Sequence, residues 1–321
     1  MSRTSGKRPP DGQSHDQVLH EESINLTHME LLTQYLSDED ILGLSISIGP
    51  WLPRVTQVFQ IALQSSYLLY QLLAFAARRL AFLRPALASS YMHQATTLQT
   101  RAVELFNAAW SPVDQSNFVA VTLFSSVLGH HVLTDALAAR KPGGMEPFLA
   151  QFVQCVEMLR GVHSIAMDSW PLLLESSLEP ILSSSAAVTS RAPKGNHCQR
   201  VRELVDTSDR IDDAARKACR QAINSLQVGF DTALGDEEER GVRYHMIFGW
   251  MLVIPPEFTV LLAARRPEAL VVLSYYASLL HLGRSMWQVG DAGRYIFGLI
   301  TNYLEPQWQY WLEYPRQMIE G

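Results

Sequence analysis

The stretch VTQVFQIALQSSYLLYQLLAFAA, residues 55–77, carries no formal charge and is long enough to cross a hydrocarbon core, so its reading decides the class of fold. Gln57, Gln60, Gln64, Ser65, Ser66 and Gln71 interrupt it. Its apolar residues Val55, Val58, Phe59, Ala62, Leu63, Tyr67, Tyr70, Ala74 and Ala77 recur at steps of three and four, which is one face of an amphipathic helix in water. The segment therefore reads as a core-facing helix and not as a span. The second apolar run, around Trp250, is broken by Pro255, Pro256 and Glu257 and fails the same test.

The helical period continues outward from this segment. Leu87, Tyr91, Ala95, Leu98, Ala102, Leu105, Phe106 and Ala109 mark a second long helix. Asp114 is placed to cap a third, from Gln115 to about Ala139, by accepting from a free first-turn N–H, and the RKPGG at Arg140 to Gly144 ends it. A helix from Glu146 to about Leu159 follows, with Phe148, Phe152, Cys155, Val156 and Leu159 inward. The next is capped by Asp168 or Ser169, carries Pro171 in its first turn and ends near Leu182.

Ser183 to His197 is small, polar and contains Pro and Gly, so a flexible surface loop dividing the fold into halves is expected there. Val201, Leu204, Val205, Ser208, Ile211, Ala215, Ala218, Ala222 and Leu226 then form a thin inward stripe on a hydrophilic helix. The acidic run GDEEER, 235–240, suits the N-terminal end of the helix after it. Beyond Val242 the chain is apolar nearly all round. No alternating strand, phosphate-binding glycine loop or repeat of fixed period occurs, and the expected architecture is an all-α, irregular multi-helix bundle.

Composition bounds the function. With 321 residues, 47% hydrophobic and 18% charged, the chain can bury a large core. A net charge of −6 argues against a surface that holds phosphate backbone unaided. Cys155, Cys198 and Cys219 have neither zinc-ligand spacing nor a paired disulfide framework, so reduced intracellular thiols are expected. The opening MSRTSGKRPPDGQSHD lacks an apolar core of signal-peptide type, and residues 1–27 read as a disordered lead to a helical domain at 28–318.

Several stretches resemble the C-terminal regulatory domains of fungal binuclear-zinc-cluster transcription factors, closest to the sterol-uptake regulator type. They are HMELLTQYL at 28–36, YMHQATTLQTRAVELFN at 91–107, FSSVLGHH at 124–131, and FVQCVEMLRGVHSIAMDSWPLLLESSLEPIL from Phe152. The tail adds RRPEALVVLSYYASLLHL and SMWQVGDAGRYIFGLITNYLEPQWQYWLEYP, with its terminal W-x-x-W-x-x-x-P element. The family's DNA-binding module, six cysteines around two zinc ions, has no counterpart in the first 28 residues, so no direct nucleic-acid binding by this chain is expected. The resemblance implies a sensor of a small apolar ligand, a sterol or secondary metabolite, acting in transcription regulation in the cytoplasm or nucleus. It also implies a homodimer or a partner transcription regulator. No cofactor is expected.

The expected ligand-binding residues are Trp250, Phe258, Tyr275, Tyr276, Trp287, Tyr295 and Phe297, because buried aromatics with a polar handle suit an apolar ligand bearing a hydroxyl. The competing reading is that they fill the core. Gly290, Asp291 and Gly293 form a turn that opens a helix and suits a gate beside such a pocket, with Asp291 as the alternative N-cap. No catalytic motif is present. If the chain is instead a secondary-metabolite enzyme of cyclase or isomerase type, reusing the sensor pocket, His131, Asp135 and His281 are the available acids and bases. His131 and Asp135 lie four apart on one face, but no third ligand is visible, and a His–Asp hydrogen bond is expected there rather than a metal.

Overall fold

The structure is a computed structural model that describes residues 24–38, 41, 55–140, 142–168, 170–176, 179–235 and 245–321. Every regular element among them is helical, and the all-α class is as expected. The helices are α1 (Leu26–Ser37), α2 (Val55–Gln64), α3 (Ser66–Leu83), α4 (Ala88–Ala108), α5 (Phe118–Ala138), α6 (Met145–Asp168), α7 (Trp170–Leu174) and α8 (Glu179–Thr189). They continue as α9 (Gln199–Thr207), α10 (Asp213–Ala233), α11 (His245–Val253), α12 (Pro256–Ala263), α13 (Pro267–Leu282), α14 (Ala292–Tyr303) and α15 (Glu313–Glu320). Short 3-10 turns span Pro85–Leu87 and Pro306–Leu312.

Two hydrophobic cores organise them. The first is built from α1 to α4 and the first half of α5, where Ala120, Phe124 and Val127 point into it. The second takes Leu133, Ala136 and Leu137 from the same helix and, Trp287 excepted, the buried apolar residues described beyond it. A helix shared by two cores has no side left for water, which is why α5 is apolar all round. It is the one described helix long and apolar enough to cross a membrane, yet 56% of its most apolar window is buried inside the protein. The pair α11 and α12 qualifies only as a bent pair, folded by 91° at the Pro255–Pro256 break.

Several boundaries differ from the sequence expectation. Residues 55–77 are two helices, because Ser65 takes an extended conformation and the Ser65–Ser66 pair favours a local turn over a continuous ladder. Inside α3, Leu68, Leu72, Phe75 and Leu80 are buried, as is Gln71. Asp114 does not cap α5: its carboxylate accepts from the Ser116 N–H (2.8 Å) and hydroxyl (2.6 Å), and the helix starts four residues later. α6 runs past Leu159 to Asp168.

The expected loop at 183–197 is helical as far as Thr189, because Ala186, Ala187 and buried Val188 are compatible with a helix once Pro180 stands in its first turn. What remains, from Ser190, is tied down where the Lys194 and Gly195 N–H groups donate to Asp231 (2.8 and 3.0 Å). The division between cores falls within α5, not at this loop. The stripe from Val201 to Leu226 breaks at Ser208–Asp212, where the Asp212 carboxylate caps α10 by accepting from the Ala215 N–H (2.8 Å). In the expected disordered lead, Leu26 and Thr27 already belong to α1, capped by Asn25, which accepts from the His28 N–H (3.0 Å). The rest of that lead to residue 23, Ser169 and the acidic run from 236 lie outside the described residues.

Candidate functional site

The apolar helices α11, α12 and α13 bring three of the seven aromatic candidates together. Trp250 stacks on Tyr276 (ring centroids 4.3 Å apart) and meets Phe258 edge-on at 5.9 Å. Their polar tips are used: the Trp250 indole N–H donates to the Ala222 carbonyl (2.9 Å) and the Tyr276 hydroxyl to the Ile247 carbonyl (2.7 Å). Burial raises the Tyr276 phenol well above its ordinary range.

The other four lie elsewhere. Tyr275, the neighbour of Tyr276 along α13, faces a different partner and stacks on Tyr314 at 5.4 Å. Its buried hydroxyl faces the Val201 backbone at the first turn of α9 without reaching a hydrogen bond of ordinary geometry. Tyr295 stands at the meeting of α5, α6 and α14, with the Arg140 guanidinium 4.2 Å from its ring centre and Phe148 at 6.3 Å. Phe297 lies under Arg316 of α15 at 5.8 Å. Trp287 is buried in the first core. The seven therefore do not share one wall.

The turn before α14 divides its labour. Gly290 has φ +49°, in the left-handed region. Gly293 lets α14 press against α13: a Cβ there would collide with the Ala277 carbonyl and stand 2.7 Å from the His281 nitrogen. Asp291 occupies the N-cap position but makes no side-chain cap, because its carboxylate is taken by Arg140. Arg140 also donates to the Leu137 carbonyl (2.7 Å), closing the C-terminal end of α5, where helix carbonyls lack partners. One guanidinium thus joins the end of α5 to the start of α14.

His131 and Asp135 are not hydrogen-bonded as expected. Asp135 takes a 2.6 Å bond from Arg78 of α3, and the His131 Nε2 stands 3.7 Å from its other oxygen. Gln71 reaches the His131 Nδ1 at 3.3 Å. With Gln71 donating, the imidazole proton sits on Nε2 and points toward Asp135. Burial pushes His131 down to about 4, helped by Arg78 and opposed by Asp135, so the ring is neutral at pH 7. His281 joins neither residue, and burial with Arg284 and Arg294 nearby lowers it too. Among the described residues no three His, Cys, Asp or Glu side chains converge as a metal site would require. Cys155 and Cys219 are buried, and desolvation raises each thiol to about 12.

Sequence reasoning did not single out a cleft of about 220 Å³ between the end of α9 and the Pro306–Leu312 turn. Trp308, Trp311, Ser208, Asp209 and Arg210 line it, with the Arg210 guanidinium 5.5 Å from the Trp308 ring. Beneath it, buried Glu268 accepts from the Ser208 hydroxyl at 2.7 Å. The W-x-x-W pattern of the tail was the available signal.

Comparison of the chain with protein-family models, with curated proteins and with solved structures finds no match.

Proposed function

We propose that the chain is a helical regulatory module, of the transcription-regulator type it resembles, that responds to a small apolar ligand such as a sterol or a secondary metabolite. The observation that carries this reading is Tyr275. It is a fully buried phenol in an aromatic core whose hydroxyl has no full hydrogen bond. Buried polar groups are normally paired, and beyond the Val201 backbone beside it the hydroxyl has room for a second partner, which the hydroxyl of an otherwise apolar ligand would supply. The ligand acts by a population shift: it binds one packing of α13 and α14 better than another.

The state of the reactive groups favours a regulator over an enzyme. The thiols of Cys155 and Cys219 are desolvated and protonated, His131 is neutral, and Asp135 is held in an ion pair with Arg78. The test is thermal unfolding of the whole chain with ergosterol in detergent. A saturable rise in Tm is expected, weakened several-fold in affinity by Tyr275→Phe, which keeps the ring and removes the hydroxyl. A Tm that does not move at any sterol concentration counts against the ligand.

A further inference from the structure

Among the described residues beyond α5, Trp287 alone is buried in the first core. It sits in the Gly283–Asp291 loop, while Met286 and Val289 on either side belong to the second core. One side chain therefore crosses the boundary.

Among the described residues, the groups that hold it lie between residues 38 and 82. Phe75 and Phe82 hold the indole at centroid distances of 5.3 and 6.0 Å. The Arg79 guanidinium lies 5.1 Å from the ring centre and is itself fixed by Asp38 at 2.8 Å. The indole N–H donates to the Ile41 carbonyl at 3.2 Å. Two tilted aromatic rings, one held cation and one acceptor are what an indole can use: its π surface, its ring quadrupole and its single donor.

The adjoining polar groups are poorly satisfied. Gln288, the next residue, is buried with both side-chain amide atoms unpartnered, and the Gln71 carbonyl oxygen on α3 is unpartnered too. Water reaching them on opening would offset part of the lost packing.

We infer that the first half of the chain contains an indole-binding site that the protein fills with its own Trp287, and that the Gly283–Asp291 loop is a detachable latch between the two cores. Withdrawn, the latch leaves a site for an indole-class ligand, a flat aromatic with one N–H donor. This does not depend on the sterol reading.

The test uses the full chain with Trp287→Ala and free indole as the probe. Indole raises the Tm of the variant saturably and leaves the wild type unmoved, because its site is already filled. A folded variant that shows no saturable rise, or an equal rise in both proteins, overturns the proposal. If Trp287→Ala does not fold, Arg79→Met keeps the tryptophan and loosens its seat. Hydrogen exchange at 283–291 should then rise about tenfold relative to α13, equivalent to one cation–π contact, and an unchanged loop overturns the latch.

Discussion

Gly290 and Gly293 stand in one turn yet answer to different constraints. At Gly293 a methyl group has no space, since the obstruction is the backbone of α13 at Ala277 and His281. Gly293→Ala should therefore destabilise the protein by about 3 kcal/mol in urea unfolding. At Gly290 nothing stands within 4 Å, so Gly290→Ala meets only the left-handed backbone penalty of about 1 kcal/mol. The pair of glycines was visible in the sequence, but which one is packed and which one is turned was not, because neither close approach nor φ is written in residue type. Asp291 shows the same limit. Its position suits an N-cap, and Arg140, 151 residues away in sequence, takes the carboxylate instead. That pair is exposed, so Asp291→Ala should change stability by less than about 1 kcal/mol.

At the scale of elements, periodicity located most helices and their inward faces, and failed where two helices bury the same stripe in succession. The Val201–Leu226 pattern passes through the break at Ser208–Asp212 unaltered because α9 and α10 both face the second core. The signal for a break was the cluster Ser208, Asp209 and Asp212, residues that favour turns and caps. Asp212→Ala should remove about 1 kcal/mol of stability, read as a lower urea midpoint with unchanged slope. Arg216 holds the other side of the break, donating to the carbonyls of Val205 (2.5 Å) and Ser208 (3.0 Å). Loss of this guanidinium in Arg216→Met should speed hydrogen exchange in the last turn of α9 while leaving α13 unchanged.

For the whole molecule, the all-α class was legible and the two-core plan was not. An apolar helix such as α5 announces burial without saying that it serves two cores, and the seat of Trp287 is made by residues some two hundred positions away. Three histidines, His131 buried and His130 and His245 half-buried, give the assembly a pH dependence. His130, His131 and His245 are each lowered to about 4, chiefly by burial, against an unfolded value of 6.5. As pH falls the unfolded chain takes up these protons first, so their stabilising effect is full above pH 6.5 and is lost progressively down to pH 4. With three protons involved, stability should fall by about 4 kcal/mol per pH unit near pH 5, and urea unfolding at pH 7 and pH 5 measures it. The proposed ligand response belongs to this same scale, since it would require α13 and α14 to repack against the rest. The most direct test is hydrogen–deuterium exchange of the whole chain with and without saturating ergosterol. Slower exchange concentrated in α13 and α14 is the expected result. Identical exchange in both states throughout those two helices would contradict a sensor built on them.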